Sequence, residues 1–361
     1  MNIFVGNASK YFFPLFTLNS AYYADVFALL FVLVHVLLTL LCCFLTVQTC
    51  SIVKTVHVFH PNMSSIIVTI LAQWFEILVA KLIILPYQLG FVTVGEGARI
   101  FQLWISNSAS EMPHIQNPGD IAPLFVSGVL FLHYAFTVVF SVFILTCERA
   151  FATFFIEDYE KKPRAYICIS LLLVTHSLTL LLSCLATCEI IAFTTGIAIS
   201  GIIIVGAVMI YFVILHINVR IQKRLEKNDD ADYYSLAIRF QAKENARSLE
   251  LAKKVVVFAA VAVLFGMFLL VVAAFHLIDN HISTLVTLAE AVFNLNPLFV
   301  VPLGMYSVPN WRQRFVKKMP FRRVLRTLSV RKRTPKVSAF AESSPVKESE
   351  IYFNQLSEAW K

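Results

Sequence analysis

An all-α membrane protein, built as a seven-transmembrane helix bundle, is the fold class that this sequence predicts. The N-terminus is expected outside, the C-terminus in the cytoplasm, and a short inner-leaflet helix after the seventh span. Three observations predict it. Hydrophobic residues make up 58% of the 361 residues and charged residues only 14%, too little charge to cover a soluble domain of this size. The apolar residues fall in seven runs, each long enough to cross a hydrocarbon core of about 30 Å as a helix of roughly 20 residues. The basic residues lie almost wholly on alternate sides of these runs, as membrane topology demands. A mean hydropathy of +0.74 and 32 phenylalanines exclude a disordered chain, which is poor in aromatics. None of the runs alternates at period two, which argues against a membrane barrel.

The first run, 26–53, holds no charge, and the second, 66–94, is interrupted by Glu76 and Lys81. The third, fourth and fifth cover 121–147, 165–188 and 190–219. The sixth covers 255–278, and the seventh, 282–308, contains Glu290. Read as one helix, the fourth and fifth runs would exceed about 75 Å, so two spans joined by a tight turn at Cys188, Glu189 and Ile190 fit a bilayer better. The first run is too long and starts too late for a cleaved signal peptide and should serve as the first span. The resulting organisation is an extracellular N-terminus (1–25), a seven-span domain (26–308), an amphipathic inner-leaflet helix (309–320) and a disordered cytoplasmic tail (321–361).

Orientation follows from the 30 Lys and Arg residues. With the N-terminus outside, all but Lys10, Arg99 and the intramembrane Lys81 face the cytoplasm, a strong positive-inside bias. The sequon at Asn7 then lies outside as a candidate glycosylation site, whereas the sequon at Asn62 faces the cytosol and stays bare. The seven cysteines fall mostly inside spans, where they suit small packing positions rather than disulfides. No metal-ligand cluster or nucleophile constellation is evident in the sequence. An enzyme, a cofactor, a catalytic site and a nucleic-acid partner are therefore not expected.

Charges within the spans carry the first site hypothesis. Glu76, Lys81 and Glu290 are costly in lipid and should face the bundle interior. At 1.5 Å per residue, Lys81 lies roughly 25 Å and Glu290 roughly 27 Å above the inner end, so the two can pair. Glu76 and Asn296 both fall near ~18 Å, which extends the pair into a polar cluster between the second and seventh spans. Such a cluster either fixes packing or contacts a ligand. Pro86, Pro297 and Pro302 free backbone carbonyls at these levels.

The inner ends carry the second. The third span closes on Glu148 and Arg149, an ion pair at the hydrocarbon boundary suited to holding one state of a bistable element. The third cytoplasmic loop, 220–254, is rich in both charge signs, and its ends should prolong the fifth and sixth helices. After the seventh span, Pro309 suits a helix start. Trp311, Phe315 and Met319 recur every four residues among basic ones, the pattern of a helix lying on anionic inner-leaflet lipids. Pro320 should end it. Ser329, three residues after Arg326, is a candidate phosphorylation site whose modification would weaken lipid attraction.

These segments together resemble the epsilon class, Sre, of the nematode serpentine chemoreceptors. The likeness runs from the first span through Met319. Its most specific parts are Cys147-Glu148-Arg149-Ala150-Phe151-Ala152-Thr153 followed by Asp158-Tyr159-Glu160, the stretch from Tyr234 through Arg239, Phe240, Gln241, Glu244 and Asn245 to Leu251, and Asn296-Pro297-Leu298-Phe299. The resemblance implies a seven-helix G-protein-coupled receptor, chemosensory, in the plasma membrane of a neuron and expected at its sensory cilium. Against the wider rhodopsin-like pattern, Ala150 stands where an aromatic follows the arginine, the sixth span lacks proline, and the outer disulfide is missing.

The function expected is transduction of an external chemical signal, from an unknown small-molecule or peptide ligand, to a heterotrimeric G protein near Glu148 and Arg149. The alternatives are a transporter or ion pathway lined by Glu76, Lys81 and Glu290, and a non-signalling partner subunit of other receptors.

Overall fold

A computed structural model describes residues 1–6, 9–14, 18, 26–94, 112–116, 118–156, 164–227, 236–275, 277–278 and 282–319. Asn7, the stretch 157–163, Tyr234 and Ser329 lie outside the described residues. The chain divides into two units, Met1–Phe315 and Val316–Lys361. Within the second, only 316–319 are described.

Seven helical segments among the described residues are long and apolar enough to cross a membrane. The first is α1 (Val26–Thr55). The second combines α2 (Pro61–Ala72) and α3 (Trp74–Gln88). The third to sixth are α4 (Ala122–Phe154), α5 (Ala165–Thr187), α6 (Phe193–Lys227) and α7 (Leu236–Ala274). The seventh combines α8 (Ile282–Asn294) and α9 (Pro297–Ser307), and α10 (Pro309–Lys318) follows. α10 thus stops two residues short of Pro320. Leu29, Leu33, Leu37 and Leu40 leave one stripe of α1 exposed. In a bilayer that is the face lipid would cover. α4 is the central column, with half of its apolar window buried.

The helix ends follow local chemistry. After α3, Gly90 takes φ +73, and the N–H of Phe91 donates to the Pro86 carbonyl at 2.9 Å, a glycine-terminated stop. Between α5 and α6 the turn is at Cys188–Ile190, as the length of the combined run requires. Glu189 sits at φ +54, and the N–H of Ile190 donates to the Leu185 carbonyl at 2.9 Å. The seventh span breaks at Pro297, which has no N–H to donate. There Leu298 N–H turns to the Leu295 carbonyl at 3.0 Å instead of continuing the α pattern.

The N-terminal segment folds into a small sheet against the bundle. β1 (Asn2–Val5) pairs antiparallel with β2 (Ser9–Phe12) and parallel with β3 (His114–Ile115). The hairpin closes with Gly6 at φ +60, a conformation open to glycine. Phe12 and Phe13 are buried. Phe12 stacks on Phe193 with centroids 4.5 Å apart. Phe13 rests on Gly128, where a Cβ would come within 3.0 Å of its ring. Lys10 Nζ meets Glu189 at 2.8 Å and Asn2 Nδ2 donates to the same carboxylate at 3.2 Å, so the strained turn residue also anchors this small sheet.

Candidate functional site

Two regions of the bundle combine chemistry with space. Nearest the N-terminal sheet, a cavity opens among the third to seventh spans. Phe131, Phe136, Phe193, Met267 and Phe293 supply its apolar walls, with Pro14 and Glu290 among its lining residues. Small-molecule sites are built this way, with apolar walls and few fixed polar groups. Glu290 Oε1 forms an ion pair with Lys81 Nζ, which joins α8 to α3. Asn294 Nδ2, one turn on, also reaches Glu290 at 3.4 Å.

The four intramembrane residues singled out in the sequence do not form one bonded cluster. Glu76 turns to the third span, where its carboxylate lies 2.7 Å from His133 Nδ1. Gln73 Nε2 stands 3.0 Å from the same nitrogen, and His176 on α5 lies 3.5 Å from His133 Nε2. Asn296 Nδ2 donates to the Tyr134 hydroxyl at 2.5 Å. Trp74 Nε1 donates to the Asn294 carbonyl at 2.9 Å, an acceptor left free because Leu298 bonds to Leu295 beside Pro297. The physical reason is the central column. α4 packs beside α3 at this depth and offers His133 and Tyr134 as nearer partners. Sequence reasoning missed both. Their signal was faint, a lone polar or aromatic group in an otherwise apolar run.

At the opposite end, Arg149 is 2% exposed and Glu148 fully buried. Arg149 Nε and Nη2 donate to the two Glu148 oxygens at 2.5 and 2.6 Å, a bidentate, charge-assisted pairing. Its remaining nitrogen, Nη1, crosses to α7 and donates to Asn245 Oδ1 and Ser248 Oγ, both at 3.2 Å. The Tyr211 hydroxyl donates to the Leu249 carbonyl and ties α6 to the same turn of α7. Asn218 Nδ2 donates to Thr153 Oγ1 at 2.8 Å, tying α6 to α4. Three helices are thus fastened through one buried arginine and its neighbours. Asn245 and Ser248 are uncharged, so sequence inspection for an acidic partner passes over them.

His60 lies beside this group. Burial pushes its imidazole below the ordinary value, Glu148 raises it and Arg149 lowers it. Its Nδ1 accepts the Asn62 N–H at 3.3 Å and caps α2. Asn62 itself is buried, with Nδ2 donating to the Arg164 carbonyl at 3.1 Å, which leaves no room for a glycan at that sequon. All seven cysteines are free.

Seven helices long and apolar enough to span a membrane, an apolar cavity towards one end and an arginine-fastened helix junction at the other make up a serpentine membrane bundle. The chain belongs to the Sre G protein-coupled chemoreceptor family, whose model matches residues 1–361. It is 29% identical to serpentine receptor class epsilon-38 of Caenorhabditis elegans over 97% of both chains. It is also 29% identical to class epsilon-37 of the same organism, over 98% of this chain and 97% of the relative. Class epsilon-45 is 26% identical over the full length of both. No solved structure matches the chain. The protein is therefore a multi-pass membrane receptor of chemosensory type.

Proposed function

We propose that this receptor carries an external chemical signal across the plasma membrane to a heterotrimeric G protein. The N-terminal sheet faces outside, and the cavity bounded by Glu290 and Phe293 receives a small molecule or peptide. Arg149 and α10 face the cytoplasm, α10 against anionic lipid. The positive-inside bias of the sequence supports this orientation. In the resting state, Arg149 holds α4 to α7. A ligand that binds better when those helices part shifts the balance towards the parted state, and the G protein then meets the surface they uncover.

The observation that carries this reading is Arg149 itself. Its guanidinium is buried, paired bidentately within α4, and has one nitrogen left to hold α7 through two neutral side chains. Such a link is strong enough to bias a state and weak enough to be broken by a ligand. The test is nucleotide exchange on a reconstituted heterotrimer, with the receptor in lipid nanodiscs and a chemical panel as ligand. Raised basal exchange that no longer depends on ligand in Arg149→Ala, at normal surface expression, is the expected result. Basal and ligand-dependent exchange both equal to wild type in that variant remove Arg149 from the switch. Solute flux without exchange overturns the receptor reading.

A further inference from the structure

We propose that a second cavity, at the Arg149 end of the bundle, binds a compact, predominantly apolar molecule bearing a single hydroxyl or carbonyl group, and that its occupancy holds the resting state. The cavity measures about 160 Å³, close to the roughly 150 Å³ of an engineered apolar cavity that takes up benzene. It is separate from the cavity beside Glu290, and no lining residue is common to the two. Val53, Leu71, Leu145, Val256, Val301 and Met305 represent its walls, contributed by five of the seven spans. Trp311 of α10 and Phe59 also line it, packed edge to face with centroids 5.1 Å apart. The Trp311 indole is held by its N–H bond to the Val56 carbonyl at 3.1 Å.

Two hydroxyls interrupt the apolar lining. Ser141 Oγ donates back to the Val138 carbonyl at 2.6 Å, which leaves it able only to accept. Thr49 is different. It is 2% exposed, lines the cavity, and its Oγ1 has no hydrogen-bond partner among the described residues. Threonines in helices ordinarily bond back one turn, as Thr39 does to His35 and Thr55 to Ser51 in the same α1, both at 2.8 Å; Thr46 and Thr49 do not, and of these two Thr49 lines the cavity. Thr49 leaves that bond unmade. A buried hydroxyl without a partner is costly, so a molecule that supplies one is favoured at this wall. Water needs two to four polar partners, and the lining offers few. A pure hydrocarbon fills the space and leaves Thr49 unpaired. A strongly polar molecule loses its own partners against the apolar walls. One polar group on an apolar body satisfies both demands.

The position of the site gives it a consequence. Ser141 and Leu145 lie two turns and one turn before Arg149 on α4, and Ala252 and Val256 lie one and two turns beyond Ser248 on α7. The helices that Arg149 fastens are therefore opposing walls of the cavity. An occupant that touches both loses contacts if α7 withdraws, so binding favours the fastened state by linkage. This second half rests on the signalling reading given above, and the binding itself does not.

The probes are radiolabelled 1-adamantanol, a rigid cage with one hydroxyl, and adamantane, which lacks it. Equilibrium dialysis of the full-length protein in nanodiscs, against empty nanodiscs, should show saturable one-to-one binding. 1-Adamantanol should bind about three- to tenfold more tightly than adamantane, the worth of one hydrogen bond. Thr49→Val should abolish that difference and keep adamantane binding. Gly304 lines the cavity, and a Cβ there would approach Val255 no closer than 3.8 Å, so Gly304→Leu should fill the space and remove saturable binding of both probes. Val256→Trp is a second filling variant if Gly304→Leu fails to fold. Binding no higher than to empty nanodiscs, equal affinities for the two probes, or full binding in a folded filling variant overturns the site. Saturating 1-adamantanol should also lower basal nucleotide exchange in wild type and not in a filling variant. Unchanged exchange overturns the regulatory half alone. A receptor that supports no exchange under any condition contradicts the signalling reading, and dialysis still decides the site.

Discussion

Replacing Ser248 with alanine removes one of the two bonds seen among the described residues between Arg149 and α7, together with the hydroxyl's bond back to the Asn245 carbonyl. Arg149 Nη1 lies 3.2 Å from Ser248 Oγ. A hydrogen bond to a charged group contributes about 1.5–3 kcal/mol, and 3.2 Å is at the long end of the usual range, so about 1.5 kcal/mol is the appropriate figure. Glu148 still holds two nitrogens of the guanidinium, so the arginine is not orphaned and the bundle stays folded. If that bond exists only while α4 and α7 are together, its loss raises the ratio of parted to fastened receptor about tenfold. Nucleotide exchange on a reconstituted heterotrimer without ligand reads the ratio directly. Basal exchange should rise by up to that factor in Ser248→Ala, and further in the double variant with Asn245→Ala. Basal exchange unchanged in both, with receptor amount and thermal stability equal to wild type, would show that the Arg149 bridge does not hold the resting state.

Lys81→Met leaves Glu290 as an unpaired buried charge, at a cost of about 3–5 kcal/mol; adding Glu290→Gln should restore most of the lost thermal stability, and strictly additive losses would count against the pair. Tyr211→Phe removes the bond to the Leu249 carbonyl and should raise basal exchange in the same direction as Ser248→Ala, by the few-fold that about 1 kcal/mol allows; a fall would reverse the role assigned to it. Because His60 is held below its ordinary value in the folded chain, the unfolded chain takes up a proton first as pH falls below about 6.5. Stability is therefore unaffected above that pH and declines as acid titrates the unfolded imidazole, levelling off below the depressed folded value. His60→Asn keeps a capping acceptor without titrating, so its melting temperature should fall less than that of wild type between neutral and acid pH. Parallel profiles would remove His60 as a cause.

The spans were legible because lipid imposes one rule, a long apolar run, that can be counted residue by residue. The turn between the fourth and fifth spans was legible for the same reason, since no single helix of that length fits a bilayer. Depth along the helices also located Lys81 opposite Glu290, because rise per residue is fixed. Rotation about the helix axis is not fixed by depth. Glu76 and Asn296 share a level, yet His133 and Tyr134 on the neighbouring α4 take their hydrogen bonds. The Arg149 bridge was half visible. Glu148 adjoins it in sequence, but Asn245 and Ser248 lie about a hundred residues away and carry no charge to mark them. The N-terminal sheet left still less trace. Its strands are four residues or fewer, too short for an alternation to show, and β3 comes from a distant loop.

Separation of the helix ends around Arg149 can be measured without knowing the ligand. Spin labels introduced by unnatural amino acids at Phe154 of α4 and Arg247 of α7, both exposed, report the distance by pulsed electron resonance in nanodiscs. Addition of nucleotide-free G protein should lengthen it in wild type, and Ser248→Ala should show a long-distance population even without G protein. A single unchanged distance in all three samples would mean that α4 and α7 do not part, and that Arg149 braces the bundle without switching it.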